Sequence, residues 1–88
     1  MTNEMLELYN RYYDKLYNEE LQIDELATLG FYEEQYNNNE TFRNFVVLFC
    51  QVMGDCITSD REIEAFYLAY LEFSANVYGC FERTKQAY

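Results

Sequence analysis

Nothing in this 88-residue chain stops a helix outright: it has no proline and only three glycines. Proline is the residue that removes a helical hydrogen bond and clashes with the preceding turn. Strands would need alternation or β-branched runs, and only Val46-Val47 looks like one, inside a helical period. The interruptions left are Gly30, the asparagines at 37–39 and the neighbourhood of Gly54. This predicts an all-α chain, a compact bundle of four helices, or five if Gly30 divides the second. Short connections favour antiparallel neighbours. The length suits one domain over residues 1–88, with a core but little reserve.

The spacing predicts a first helix over 3–19, capped by Thr2 or Asn3, with Met5, Leu8, Tyr9, Tyr12, Leu16 and Tyr17 on its stripe. A second is predicted over 22–36, with Ile23, Leu26, Ala27, Leu29 and Tyr32 or Phe31 on its buried side. Gly30 costs that helix about 1 kcal/mol relative to Ala. Residues 37–39 read as a loop. A third helix over 40–53 carries Phe42, Phe45, Val46, Phe49, Val52 and Met53 at helical spacing, and Val47, Leu48 and Cys50 on its other side. Being apolar nearly all round, it is expected to be covered on several faces. Gly54 ends it as a left-handed cap. Ser59-Asp60-Arg61-Glu62 is a capping box, opening a fourth helix over 60–85. Its apolar face comprises Ile63, Phe66, Tyr67, Tyr70, Phe73, Ser74, Val77 and Phe81. Gly79 is a place for a kink, and Arg83 and Lys85 suit its negative end.

Charge is the feature that bears on function. Sixteen Asp and Glu face six Lys and Arg, with no His, for a net charge of −10. Aromatics make up 19% of the chain, which separates it from acidic disordered segments. Seven acids fall within 19–40, where there is no base: Glu19, Glu20, Asp24, Glu25, Glu33, Glu34 and Glu40. One reading is a solvated face that aids solubility. The other is a rigid negative strip that competes with nucleic acid for a basic cleft, since rows of carboxylates present a charge density comparable to phosphates. Self-repulsion among them costs folding energy.

Ten tyrosines accompany these acids. Helical spacing assigns most to the core. Tyrosine also supplies large rigid contact area with a polar tip, so Tyr17, Tyr32 and Tyr36, among the acidic doublets, are candidate anchors for a partner. A homo-oligomer seam competes as the use of surplus aromatics.

Cys50, Cys56 and Cys80 are odd in number and set in apolar pattern, which reads as reduced, unreactive thiols. A zinc site wants four Cys or His ligands, commonly in close pairs, so no metal or cofactor is expected. Asp55 and Asp60 do not form a calcium loop, because the third and twelfth positions counted from Asp55 are Ile57 and Phe66. With no His and no Gly-rich phosphate loop, no enzyme activity is expected. Asp24-Glu25-Leu26-Ala27 with Gly30 is similar to the start of a helix-turn-helix, but the segment after it has no base to meet DNA. The longest apolar run, 45–53, is far short of a membrane span. The expected setting is the cytoplasm, with no binding to membranes and none directly to nucleic acid.

Residues 54–62, Gly54-Asp55-Cys56-Ile57-Thr58-Ser59-Asp60-Arg61-Glu62, resemble the inter-helix turn of tellurite-resistance helical domains, with Gly-Asp where that family has Asp-Gly. A generic helix–Gly–capping-box turn accounts for them as well. By size, charge and helicity over the whole chain, without any shared motif, the protein resembles the small acidic proteins that phages direct against host defence, the anti-CRISPR and antirestriction DNA mimics. It is similar in the same way to the acidic helical immunity proteins that neutralise nuclease toxins. The resemblance implies an inhibitor of a basic nucleic-acid-handling partner. The alternative is a structural or adaptor module that homo-oligomerises through aromatic stripes.

Overall fold

A computed structural model describes the backbone of residues 3–86 and the side chains of residues 3–76. The expectations for Thr2, Val77, Gly79, Cys80, Phe81, Arg83 and Lys85 lie outside the described residues. The chain is all-α, with helices α1 (Asn3–Tyr17), α2 (Glu25–Asn38), α3 (Glu40–Met53) and α4 (Asp60–Gln86). Among the described residues there are four, not five. Gly30 lies inside α2 with open space around it, so the glycine lowers helix propensity without ending the hydrogen-bond ladder.

α1 and α4 form the most extensive helix pair. Leu16 lies beside Arg61 and Glu64 at one end, and Glu4 and Glu7 beside Phe73 and Asn76 at the other, so the two run antiparallel. Ala65 and Ala69, both fully buried, belong to the core on α4, where small side chains permit close backbone approach. The Tyr12 hydroxyl donates to Glu72 Oε1 across the pair at 2.9 Å, and Arg11 Nη1 lies 3.9 Å from Glu72 Oε2.

The core is aromatic. Met5, Leu8, Tyr9 and Leu16 of α1 meet Phe42, Val46 and Phe49 of α3 and Phe66 of α4. Phe66 is the hub, with the rings of Phe49 at 5.1 Å, Phe42 at 6.0 Å, Phe45 at 6.0 Å and Tyr32 at 6.1 Å. Edge-to-face geometry recurs because the rim of one ring meets the electron-rich face of the next. Burial pushes the Tyr9 phenol up to about 12, with the negative charge of Glu62 adding to it.

Two expectations about packing need correction. α3 is not covered on several faces: Phe42, Val46 and Phe49 are buried, but Val47, Leu48 and Val52 stay about half exposed at 46%, 51% and 49%. α2 contributes no buried residue, and Leu26, placed on its buried side by spacing, is 85% exposed. Phe31 is also exposed, stacked beside Tyr67 at 6.5 Å. α2 lies against the body chiefly through Tyr32, so one aromatic anchor sets its rotation in place of a stripe.

The helix ends follow local chemistry. α1 stops at Tyr17, two residues earlier than its period suggests. Glu19 N–H reaches Leu16 O at 3.2 Å and Glu20 N–H reaches Lys15 O at 2.9 Å, the paired bonds of a Schellman ending. Glu19 takes the left-handed position at φ 58°, where glycine is usual. α2 begins at Glu25, not at 22, because Asp24 is a true cap whose carboxylate accepts from Ala27 N–H at 3.0 Å. The predicted loop at 37–39 shrinks to one residue. Asn39 gives its N–H to Gln35 O at 2.9 Å and accepts Phe42 N–H on Oδ1 at 3.1 Å, closing α2 and opening α3. Gly54 adopts φ 78° as the α3 cap.

The capping box at α4 is formed. Ser59 N–H donates to Glu62 Oε1 at 3.1 Å, and Glu62 N–H donates to Ser59 Oγ at 3.3 Å. Burial favours the protonated Glu62 carboxyl, but bonds from the Ser59 side chain and backbone and from Thr58 outweigh it and hold the carboxyl below its ordinary value. Ser59→Ala is expected to cost about 1 kcal/mol, read in a urea titration. An unchanged midpoint would mean the cap contributes nothing to folding.

Candidate partner-binding surface

The structure distributes the acids of 19–40 over three places. Glu19 and Glu25 come together at the junction of α1, α2 and α4. There they line a cavity of about 460 Å³ with Leu16, Leu21, Gln22, Ile23, Arg61 and Glu64. Glu33 borders a second hollow with Leu29, Tyr32, Tyr36, Asp60 and Ile63. Glu34 sits on the other flank of α2, close enough to Tyr67 to contribute, after burial and Tyr70, to raising its phenol. Glu20 and Glu40 are exposed and line none of these cavities. Asp24 is exposed but already serves as the α2 cap. The predicted strip is therefore a set of acidic patches along the outer helix α2 and its two ends.

All seven acids are solvent-exposed, and none forms an ion pair among the described residues. The described bases are engaged elsewhere. Arg11 meets Glu72, Lys15 lies 5.8 Å over the Tyr12 ring, and Arg61 lies 5.7 Å over the Tyr17 ring. Arg43 donates to the carbonyls of Tyr36 at 2.9 Å and Asn37 at 3.2 Å, tying the end of α2 to α3.

The three tyrosines proposed as anchors fare differently. Tyr17 is 67% exposed, but Arg61 covers one face of its ring. Tyr36 is exposed and shares its ring with Arg43 at 5.8 Å. Tyr32 is not a free anchor. It is half-buried, edge-on to Phe42 at 5.7 Å and to Phe66 at 6.1 Å, and burial pushes its phenol up to about 12. Its ring is spent on holding α2 to the body.

Sequence reasoning missed Asp60 and Glu64, which α4 adds to the acidic surface. Glu64 is only 6% exposed, yet it makes no hydrogen bond or ion pair among the described residues. None of the buried polar side-chain atoms described is both sealed from solvent and unpartnered, so its carboxylate opens into the cavity. Burial raises its carboxyl above the ordinary range, and Glu25 adds to that. Arg61 pulls it back in part, and Asp60 pushes the same way as Glu25. The available signal was its place one residue before Ala65 on the turn that faces α1.

A further groove, between α2, α3 and the following turn, is lined by Tyr32, Tyr36, Val46, Val47, Cys50 and Ile57 among others. Cys50 is half-buried and Cys56 exposed; both are free thiols. No helix among the described residues is long and apolar enough to cross a membrane. Comparison with protein-family models, curated proteins and solved structures finds no match.

Proposed function

We propose that the protein is a small inhibitor that binds a basic nucleic-acid-handling protein, a nuclease or CRISPR-type effector, and blocks nucleic-acid access. The contact is the acidic surface of α2 and its flanks: Glu19, Glu20, Asp24, Glu25, Glu33, Glu34 and Glu40, with Tyr36 at its edge. The observation that supports this is the absence of internal neutralisation. Seven exposed carboxylates have no ion pair among the described residues, and of the four described bases only Arg61, laid over the Tyr17 ring, borders any of them. An external cation is then the group that relieves their mutual repulsion. Glu25, Glu33, Glu34 and Glu40 ride on capped helices, so little conformational entropy is lost when they meet a basic cleft. Association is fast and salt-sensitive for the same reason.

Simultaneous Glu19→Gln, Glu20→Gln, Asp24→Asn, Glu25→Gln, Glu33→Gln and Glu34→Gln tests this reading. Asparagine keeps the α2 cap. The fold is expected to persist or gain stability as repulsion falls, while capture of a basic partner from host lysate at low salt is lost. Glu4→Gln with Glu7→Gln, on α1, should leave capture intact. A sextuple variant that captures the same partner as well as the parent would reduce the acids to a solvated face.

One observation favours a second reading, a homo-oligomer. Most aromatic rings pack within the monomer, Tyr17, Phe31 and Tyr36 remaining exposed, and the seam would centre on the half-exposed aliphatic row Val47, Leu48 and Val52 on α3. High salt would strengthen such a dimer by screening the net charge of −10, whereas it weakens the acidic contact.

A further inference from the structure

The cavity at the α1–α2–α4 junction contains more than an acidic cluster. Its floor holds Glu64, whose carboxylate has no hydrogen-bond or ion-pair partner among the described residues and reaches solvent only through the cavity. Glu64 is only 6% exposed, and it lines the cavity with Glu19 and Glu25. A carboxylate so placed is costly unless something meets it. The one base present, Arg61, is held over the Tyr17 ring and pairs with neither Glu64 nor Glu25. The wall on the other side is aliphatic: Leu16, Leu21 and Ile23. An anion has little to hold it there. Of the two helices that begin beside the cavity, α2 has its Ala27 N–H taken by Asp24 and α4 its Glu62 N–H taken by Ser59.

We propose that this cavity receives a lysine or arginine side chain of the partner, its cationic head meeting Glu64 and its aliphatic stem lying along Leu16, Leu21 and Ile23. This rests on the reading of the acidic surface as a contact for a basic protein, and specifies which of its acids takes the anchoring residue. Basic side chains divide in this way between an apolar stem and a charged head. Glu19 and Glu25 at the walls add charge without closing the floor. Three carboxylates against one arginine leave the site negative. The outer acids, Glu20, Glu33, Glu34 and Glu40, steer the partner, and Glu64 holds it.

The experiment uses small probes, so it needs no partner. The purified full chain, labelled for amide NMR, is titrated with n-butylguanidinium chloride, and separately with n-butylurea, its neutral counterpart, at matched ionic strength. Saturable shifts at the amides of Leu16, Leu21, Ile23, Arg61 and Glu64 are expected with the cation and not with the urea. Glu64→Gln should weaken the cation about tenfold or more, the loss of a charge-assisted hydrogen bond. Glu33→Gln with Glu34→Gln should change it less than about twofold, since those residues lie outside the cavity. Shifts that never saturate, that spread evenly over the acidic surface, or that persist unchanged in Glu64→Gln would overturn the assignment. Glu64→Gln should melt at or above the parent temperature at neutral pH, because the fold disfavours the charged form it replaces. If that variant nevertheless fails to fold, the contrast between the two probes on the parent protein decides alone. A silent titration refutes the cavity and leaves the acidic surface as the contact. A partner indifferent to the six neutralised acids refutes the surface, whatever the titration shows.

Discussion

Phe66→Ala is expected to cost about 3–5 kcal/mol, the range for removing a fully buried aromatic ring. No other described side chain on α4 touches as many rings: Tyr32, Phe42, Phe45, Phe49 and Tyr70 all lie within 6.3 Å, centroid to centroid. Three helices, α2, α3 and α4, meet around it, so the void cannot be filled by sliding one of them. A domain of this length holds roughly 4–13 kcal/mol in total, so the variant sits at the edge of folding. The melting temperature should fall by more than about 10 °C, and the transition should broaden. A melt within a few degrees of the parent would mean that the ring cluster repacks freely, and that the core is not the fixed assembly of rings described.

The second large effect is in local dynamics. Amide exchange in α2 is expected to run about a hundredfold or more faster than in the middle of α4. Helices with few buried apolar contacts open without the rest of the molecule. α2 has no buried residue and relies on Tyr32, whereas α4 buries Ala65, Phe66 and Ala69 within two turns. Exchange is measured at neutral pH under native conditions, and Tyr32→Ala should accelerate α2 further while leaving α4 nearly unchanged. Equal protection in the two helices would contradict the peripheral position of α2. The helix that carries Glu25, Glu33 and Glu34 is thus also the one held least tightly, and binding a partner should slow its exchange selectively.

Helices α1, α3 and α4 could be read from the chain because their apolar residues recur with the helical period over several turns, and because a Ser and a Glu three apart mark a helix start. Gly54 was equally plain, since a glycine after a long apolar run has a local reason to be there. α2 was harder. Its alternation of Leu26, Leu29, Phe31 and Tyr32 fits more than one face, and only the position of the Phe42–Phe66 cluster decides that Tyr32 turns inward. Glu19 in a left-handed turn could not be foreseen, because no side-chain property of glutamate asks for it; the path from α1 back to α2 does. The burial of Ala65 and Ala69 depends on how closely α1 approaches, which composition does not encode. For the surface, the chain shows which acids are neighbours in order. It does not show that Glu64, some forty residues beyond Glu19 and Glu25, faces the same hollow, or that Tyr32 and Tyr36, four apart, have different duties.

Asn39 gives α2 a pivot. A single residue joins it to α3, with two rotatable bonds and hydrogen bonds on both sides. From that point α2 extends about 21 Å at 1.5 Å per residue, as a lever arm whose free end carries Glu25. A turn of about 10° at Asn39 moves that end by about 4 Å, comparable to the width of a cationic head group. Such a movement would have to be taken up in 18–24, the non-helical stretch that precedes α2. The gape of the hollow beside Glu64 is therefore geared to the backbone angles of a residue at the opposite end of the helix, and altering Asn39 should retune the aperture from a distance without touching its walls.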